Sequence, residues 1–232
     1  MSLALFDLDN TLLAGDSDHA WNEFLVHKGA VHPTCHAETN DRFYQDYLAG
    51  RLDIHEFCRF AFSPLAEHPR SQLEQWREHF LETVIRPMIA PGAPALLAGH
   101  RAAGDELVII TATNQFVTEP IAAMLGVDHL IATLAEEDER GEFTGELEGT
   151  PCFQEGKIVR LRQHLADRPD PEAVIAGATF YSDSRNDIPL LETVARPVAV
   201  DPDPTLAEHA QRHGWEQISL REAVEPAGAA QP

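Results

Sequence analysis

Apolar positions along this chain alternate between two rhythms, one of strands and one of helices. Leu3-Ala4-Leu5-Phe6 is a short, unbroken apolar run of strand length, and it ends in Asp7-Leu8-Asp9-Asn10-Thr11. The next seventy residues carry only helical spacing. Ala20, Trp21, Phe24 and Leu25 form one stripe within 16–29, with Gly29 as a stop. Phe43, Tyr44, Tyr47 and Leu48 form another within 32–50. Asp53 is an N-cap for a helix through Phe62 that Pro64 ends. Ser71, with Glu74 three residues on, has the capping-box pattern and opens a helix towards Ile85.

Pro91-Gly92 punctuates the return to strands. From there the pattern reads helix (Ala93–Ala103), strand (Leu107–Thr111), helix (Phe116–Leu125) and strand (His129–Thr133). An acidic, glycine-punctuated stretch over 136–149 reads as a surface hairpin or flap. It is followed by a helix over 155–166 that carries Lys157 near its start. A strand (Ala178–Tyr181) runs into Ser182-Asp183-Ser184-Arg185-Asn186-Asp187. A helix, a strand (Pro197–Val200), a helix (Thr205–His213) and a last short strand near Ile218 complete the pattern. Strands alternating with helices predict right-handed crossovers and an α/β fold, a Rossmann-like doubly wound parallel sheet. The reading is a core of 1–15 and 88–224, a small helical domain inserted over 16–87 after the first strand, and a flexible tail over 225–232.

The 232 residues leave room for one large domain or a core carrying a smaller one. No apolar run approaches the roughly 20 residues of a membrane helix, and Met1 leads into the first strand with no basic leader, so a cytoplasmic protein is expected. Seventeen Lys and Arg against 38 Asp and Glu give a formal charge of -21, a field that opposes nucleic acid and anionic membrane. It also repels an anionic substrate unless a metal or a local cation reverses the sign inside the site. Cys35, Cys58 and Cys152 are too few and too scattered for a disulfide framework. With His32, His36 and His55 they lack the repeated C-x-x-C of a zinc site.

Residues two apart on a strand project to one face, so Asp7 and Asp9 emerge together at the strand's carboxyl end. Two carboxylates about 4 Å apart repel by about 4 kcal/mol at an effective dielectric of about 20, so the pair calls for a cation or a shared proton. Thr111 closing the strand at 107–111, Lys157, and the turn from Asp183 to Asp187 reach the same carboxyl edge, where open α/β sheets bind ligands. The stretch Gly149 to Lys157 is not a nucleotide-binding loop, because its spacing differs and no Ser or Thr follows the lysine.

With these four features in this order the chain resembles the haloacid dehalogenase superfamily of phosphotransferases. Asp7-Leu8-Asp9-Asn10-Thr11 meets D-x-D-x-T, and Thr111-Ala112-Thr113, Lys157 and Asp183…Asp187 meet the other three motifs. The helical insert resembles the cap of the phosphoserine-phosphatase-like branch. The resemblance implies a Mg²⁺-dependent phosphomonoesterase with Asp7 as nucleophile and Asp9 as acid and base. It implies that Asp7, Asp9 (through its main-chain carbonyl) and Asp183 hold the metal. Thr111, Ala112 and Lys157 would bind phosphate, with Asp187 in support.

Asp16, nine residues after Asp7, matches the acidic residue that receives the substrate amine in phosphoserine phosphatases, with Asp18 a neighbouring candidate. Arg59 and Asn186 are the further substrate-binding candidates. The arginine that grips the serine carboxylate in those enzymes is replaced by Ala61 when counted without gaps. This favours histidinol phosphate, which has no carboxylate, over phosphoserine or another small phosphate ester. Retention of both Asp7 and Asp9 argues against a non-catalytic phosphate-binding module. The expected partner is a small phosphate monoester, acted on by a monomer or homodimer.

Overall fold

The computed structural model of the chain describes residues 2–222. The predicted tail at 225–232 lies outside the described residues. In chain order, β1 (Leu3–Phe6) is followed by α1 (Ser17–Lys28), α2 (Pro33–Leu48), α3 (Ile54–Glu67) and α4 (Arg70–Phe80). A π turn over Leu81–Ile85 then leads into the short α5 (Arg86–Met88). The chain continues through α6 (Ala93–Ala103), β2 (Glu106–Asn114), α7 (Gln115–Leu125), β3 (His129–Glu137), β4 (Phe143–Glu148), α8 (Glu155–His164) and α9 (Pro171–Ala176). It ends with β5 (Thr179–Ser182), α10 (Ile188–Leu191), β6 (Arg196–Val200), α11 (Pro204–His213) and β7 (Glu216–Ile218).

The strands form one sheet in the order β4-β3-β2-β1-β5-β6-β7, parallel throughout except for the antiparallel pair β3 and β4. β1 lies between β2 and β5 with every residue buried. Ala4 and Phe6 enter one apolar cluster with Trp21, Phe62 and Phe80, while Leu3 and Leu5 enter a second with Leu161, Leu191 and Leu206. Covering both faces explains why the central strands read as unbroken apolar runs rather than as alternation. Each fully buried Leu or Phe in them contributes about 1.5–3 kcal/mol. Because β1, β2 and β5 are parallel, their carboxyl ends, and the motifs attached to them, come out on one edge.

Two predicted helix boundaries are corrected. Pro64 does not end α3, which runs on to Glu67 with Pro64 buried inside it. Phe62 and Leu65, both in the core, hold the apolar face across the one backbone bond that the proline removes. Ser71 is not an N-cap: α4 already begins at Arg70, and its first N–H is accepted by the Glu142 carboxylate at 2.8 Å. The acidic stretch forms the expected hairpin of β3 and β4, and it packs on α3 and α4. Gly145 (φ +88°) brings its backbone against Ala66, and Arg70 donates to Glu137 at 2.6 Å and to the Gly141 carbonyl at 3.1 Å. β2 extends three residues past Thr111, to Asn114, whose side chain caps α7 by accepting from the Val117 N–H at 3.1 Å. Among the described residues no helix is long and apolar enough to cross a membrane.

Candidate active site

β1 delivers Asp7, β2 delivers Thr111 and Thr113, β5 delivers Ser182 and Asp183, and α8 delivers Lys157. The Lys157 ammonium donates to Asp7 Oδ1 and to Asp187 Oδ2, both at 2.7 Å, and Ser182 Oγ fixes Asp187 by donating to the same Oδ2 at 2.7 Å. The other oxygen of Asp7, Oδ2, receives only a long contact from Thr11 Oγ1 at 3.4 Å. Thr11 chiefly serves Asp183: its hydroxyl donates to Asp183 Oδ1 and accepts from the Asp183 N–H, each at 3.0 Å. Asp9 is held at both oxygens, Oδ1 by the Ser17 N–H (2.6 Å), Oδ2 by Thr113 Oγ1 (2.7 Å) and by Thr111 Oγ1 (3.4 Å). Arg221, near the end of the described chain, donates to the carbonyls of Asn10 (2.6 Å) and Leu13 (2.9 Å) and so braces the turn behind the two aspartates.

Lys157 is positioned by a tight return of the chain just before it. A Cβ on Gly156 would stand 2.1 Å from the Pro151 carbonyl oxygen, so only glycine fits there. Gln154, at φ +49°, turns its amide to donate to Asn186 Oδ1 at 3.1 Å.

Five aspartates are buried here, Asp7, Asp9, Asp18, Asp183 and Asp187, against one buried lysine, Lys157. Burial pushes Asp7 up to about 7 against the pull of Lys157, and pushes Asp9 up to about 6 with help from the charge of Asp16. Asp183 is also held well above the usual carboxylate range, by burial and then by Asp7. Burial opposes the charge on Lys157, but Asp187 and Asp7 more than offset it and keep the lysine protonated. A buried excess of hard oxygen donors over positive charge is the environment that a hard divalent cation fits.

The cavity above this cluster is lined by Asp7, Asp9, Thr111, Ala112 and Lys157 from the sheet edge, with Asn186 and Asp187 alongside. From the helices before β2 come Asp16, Asp18, His19, Tyr44, Tyr47 and Phe57, among others. The structure therefore brings together every predicted site residue except Arg59, with Asp183 joined through Thr11. Arg59 lines a separate groove with Ser63, Glu67 and Glu146 on the side of α3 that faces β4. The ungapped count to Ala61 fails for a related reason: Ala61 is packed in the core, and α3 reaches the cavity through Ile54 and Phe57 at its start. Asp16 both lines the cavity and caps α1, accepting from the His19 N–H at 2.8 Å. The motifs contained Thr11 and Thr113 without showing that they anchor Asp183 and Asp9. Tyr47 read only as part of an apolar stripe, and no sequence signal marks it as a wall residue.

Residues 4–192 match the haloacid dehalogenase-like hydrolase family. The chain is 41% identical over 220 residues to a histidinol-phosphatase of Neisseria meningitidis serogroup C (strain 8013), covering 95% of this chain and 99% of that one. A crystal structure of a protein of unknown function from Bordetella pertussis Tohama I is 47% identical with a TM-score of 0.88, covering 94% and 98% of the two chains. The fold also matches a phosphoserine phosphatase solved as its phospho-aspartyl intermediate analogue, at TM-score 0.67 and 18% identity over 95% and 93% of the chains. The motifs, the sheet order that gathers them and the family match agree, and the chain belongs to the haloacid dehalogenase-like hydrolases.

Proposed function

We propose that the chain hydrolyses histidinol phosphate, or a closely similar amine-bearing phosphate ester, through an aspartyl-phosphate on Asp7 with Mg²⁺ as cofactor. It is a phosphoric monoester hydrolase of its family, and one observation carries the choice of ester. Among the residues that line the cavity, Lys157 is the only lysine or arginine, and Asp7 and Asp187 already hold it. A substrate carboxylate would enter a site of buried aspartates without a counter-charge, which is costly. An ammonium or imidazole instead meets Asp16, Asp18 and a wall of Tyr44, Tyr47 and Phe57. The name of the Neisseria relative agrees with this choice.

In this reading Asp7 Oδ2, the oxygen that Lys157 leaves free, attacks phosphorus while Lys157 holds Oδ1 and faces the phosphoryl oxygens. Thr111 Oγ1 and the backbone amide at Ala112 bind the remaining oxygens. Asp9 donates its proton to the leaving alkoxide and then takes one from water in the second displacement. Asp7, Asp183 and the main-chain carbonyl of Asp9 would hold Mg²⁺, whose charge draws in the phosphate and screens the acidic cluster. We assign the helical stretch 16–87 as a cap over the core of 1–15 and 88–224, supplying the walls that select the ester.

The test is phosphate release with Mg²⁺ from a panel of histidinol phosphate, phosphoserine, phosphocholine and sugar phosphates. Histidinol phosphate is expected to have the highest kcat/KM, by about tenfold or more over phosphoserine. A preference for phosphoserine would overturn the choice.

The cation requirement also has a stability signature. A carboxyl raised in the folded state favours the fold while it is protonated. That contribution is full below the unfolded value of 3.8 and is lost as pH rises through about 6 for Asp9 and about 7 for Asp7. In EDTA the melting temperature is therefore expected to fall between about pH 4 and about pH 7.5. Mg²⁺ binds the ionised carboxylates, so its gain in Tm should be largest at the upper end. A Tm in EDTA that rises across this window, or a Mg²⁺ gain largest at low pH, would contradict the assignment.

A further inference from the structure

Among the acids of the cavity, Asp18 differs from Asp7, Asp9 and Asp187 in having no close donor to its carboxylate. It lies in the first turn of α1, is only 6% exposed, and lines the cavity, yet no lysine, arginine or histidine pairs with it among the described residues. Its carboxylate receives one long contact, from Asn22 Nδ2 to Oδ1 at 3.4 Å, while the same amide bonds better to the Asp18 carbonyl at 2.9 Å. Asn22 is in turn held by His36, whose Nε2 lies 2.8 Å from Asn22 Oδ1. Burial holds the Asp18 carboxyl well above the usual carboxylate range, so it carries its charge only beside a hydrogen-bonding cation or N–H donor, and the described residues supply none at close range. The neighbouring residue repeats the signal. His19 Nδ1 is buried without a hydrogen-bond partner, and the His19 ring stacks on Tyr44 at 4.7 Å, both residues lining the same cavity.

Hydrogen bonds order the acids along the cavity. Asp16 follows Gly15, whose carbonyl accepts the Asn10 N–H at 2.9 Å beside Asp9, whereas Asp18 is linked through Asn22 to His36 of α2, whose ring stacks on Phe60 of α3. Asp16 is thus the nearer acid to the phosphoryl site and Asp18 the farther one. We infer that Asp18 forms a second nitrogen-recognising subsite, beyond that of Asp16, which accepts the N–H of a protonated or neutral imidazole-like ring lying against Tyr44 and Phe57. The inference rests on the cavity being the substrate site, and it deepens the proposed function by separating ring recognition from amine recognition. Asp16 takes the ammonium next to the ester carbon, and Asp18 takes the flat heterocycle at the far end. Asn22 and His36 are positioning residues that act through Asp18.

The test uses the Mg²⁺-loaded enzyme with p-nitrophenyl phosphate as reporter, and measures competitive inhibition by free histidinol and by a ring-less amino alcohol, 2-aminopropan-1-ol. Asp18→Asn is expected to weaken inhibition by histidinol about 10- to 100-fold, the loss of one charge-assisted hydrogen bond, with less than about threefold change for the amino alcohol. Asp16→Asn should weaken both. Asp18→Ser should reproduce the Asp18→Asn ratio, and the Tm of Asp18→Asn should match or exceed the wild type, since the amide stays neutral at every pH in a place where burial disfavours charge. Equal loss of both inhibitors, a change in histidinol inhibition below about threefold, or a marked fall in Tm for both variants would overturn the subsite. A wild type that prefers phosphoserine but binds histidinol through Asp18 would overturn the choice of ester and leave the subsite standing.

Discussion

Replacing Asp7 with asparagine is expected to lower kcat/KM for every phosphate ester by about 10⁴- to 10⁶-fold, the scale seen when a covalent nucleophile is lost. The amide matches the carboxylate in shape but offers no anionic oxygen to phosphorus. The fold should survive, because Lys157 keeps Asp187 at 2.7 Å and one buried negative charge is removed from a cluster with too many. Steady-state phosphate release with Mg²⁺, beside circular dichroism to confirm folding, measures it. Activity above about 1% of wild type would assign the attack to another group.

Asp9→Asn is expected to cost about 10²- to 10⁴-fold with alkyl phosphates, the usual worth of a positioned acid and base. The asparagine can still bond Thr113 and, after an amide flip, the Ser17 N–H, so the loss reports proton transfer rather than collapse of the turn. The size of the loss should depend on the leaving group. An alkoxide needs a proton as it departs, whereas p-nitrophenolate leaves without one. The penalty on the first step should therefore shrink by about tenfold or more for p-nitrophenyl phosphate, read from single-turnover rates. An equal penalty for both esters would mean that Asp9 serves only to hold the site together.

The parallel core was legible because its central strands are buried on both faces and their apolar runs give way to polar residues at the carboxyl ends. Leu3 to Phe6 followed by Asp7 is the clearest case, and the same contrast located Thr111 and Asp183. Lys157 was legible through its place in the motif order, and its contacts with Asp7 and Asp187 follow from α8 packing beside β2 and β3. The helical segment was harder. Pro64 and Ser71 are local signals, and long-range packing overrode both: apolar burial carried α3 past the proline, and Glu142 of the hairpin capped α4 in place of Ser71. Arg59 was misplaced because a helical wheel drawn from sequence gives no absolute phase. The contact between α3 and β4 sets that phase and turns Arg59 towards Glu146. Asp18 was visible only as a neighbour of Asp16. Its burial and its lack of a counter-ion exist only once α1 and α2 are packed together.

In the proposed reaction the phosphoryl group passes through the Asp7 carboxylate. Mixing the Mg²⁺-loaded enzyme with excess substrate, quenching in acid within the first turnover and mapping the digest by mass spectrometry tests it directly. The expected result is one phosphate, about 80 Da, on the peptide that contains Asp7, labile to hydroxylamine and absent from Asp7→Asn. Phosphate on another residue, or single-turnover hydrolysis at the wild-type rate with no protein-bound phosphate at any time, would contradict it.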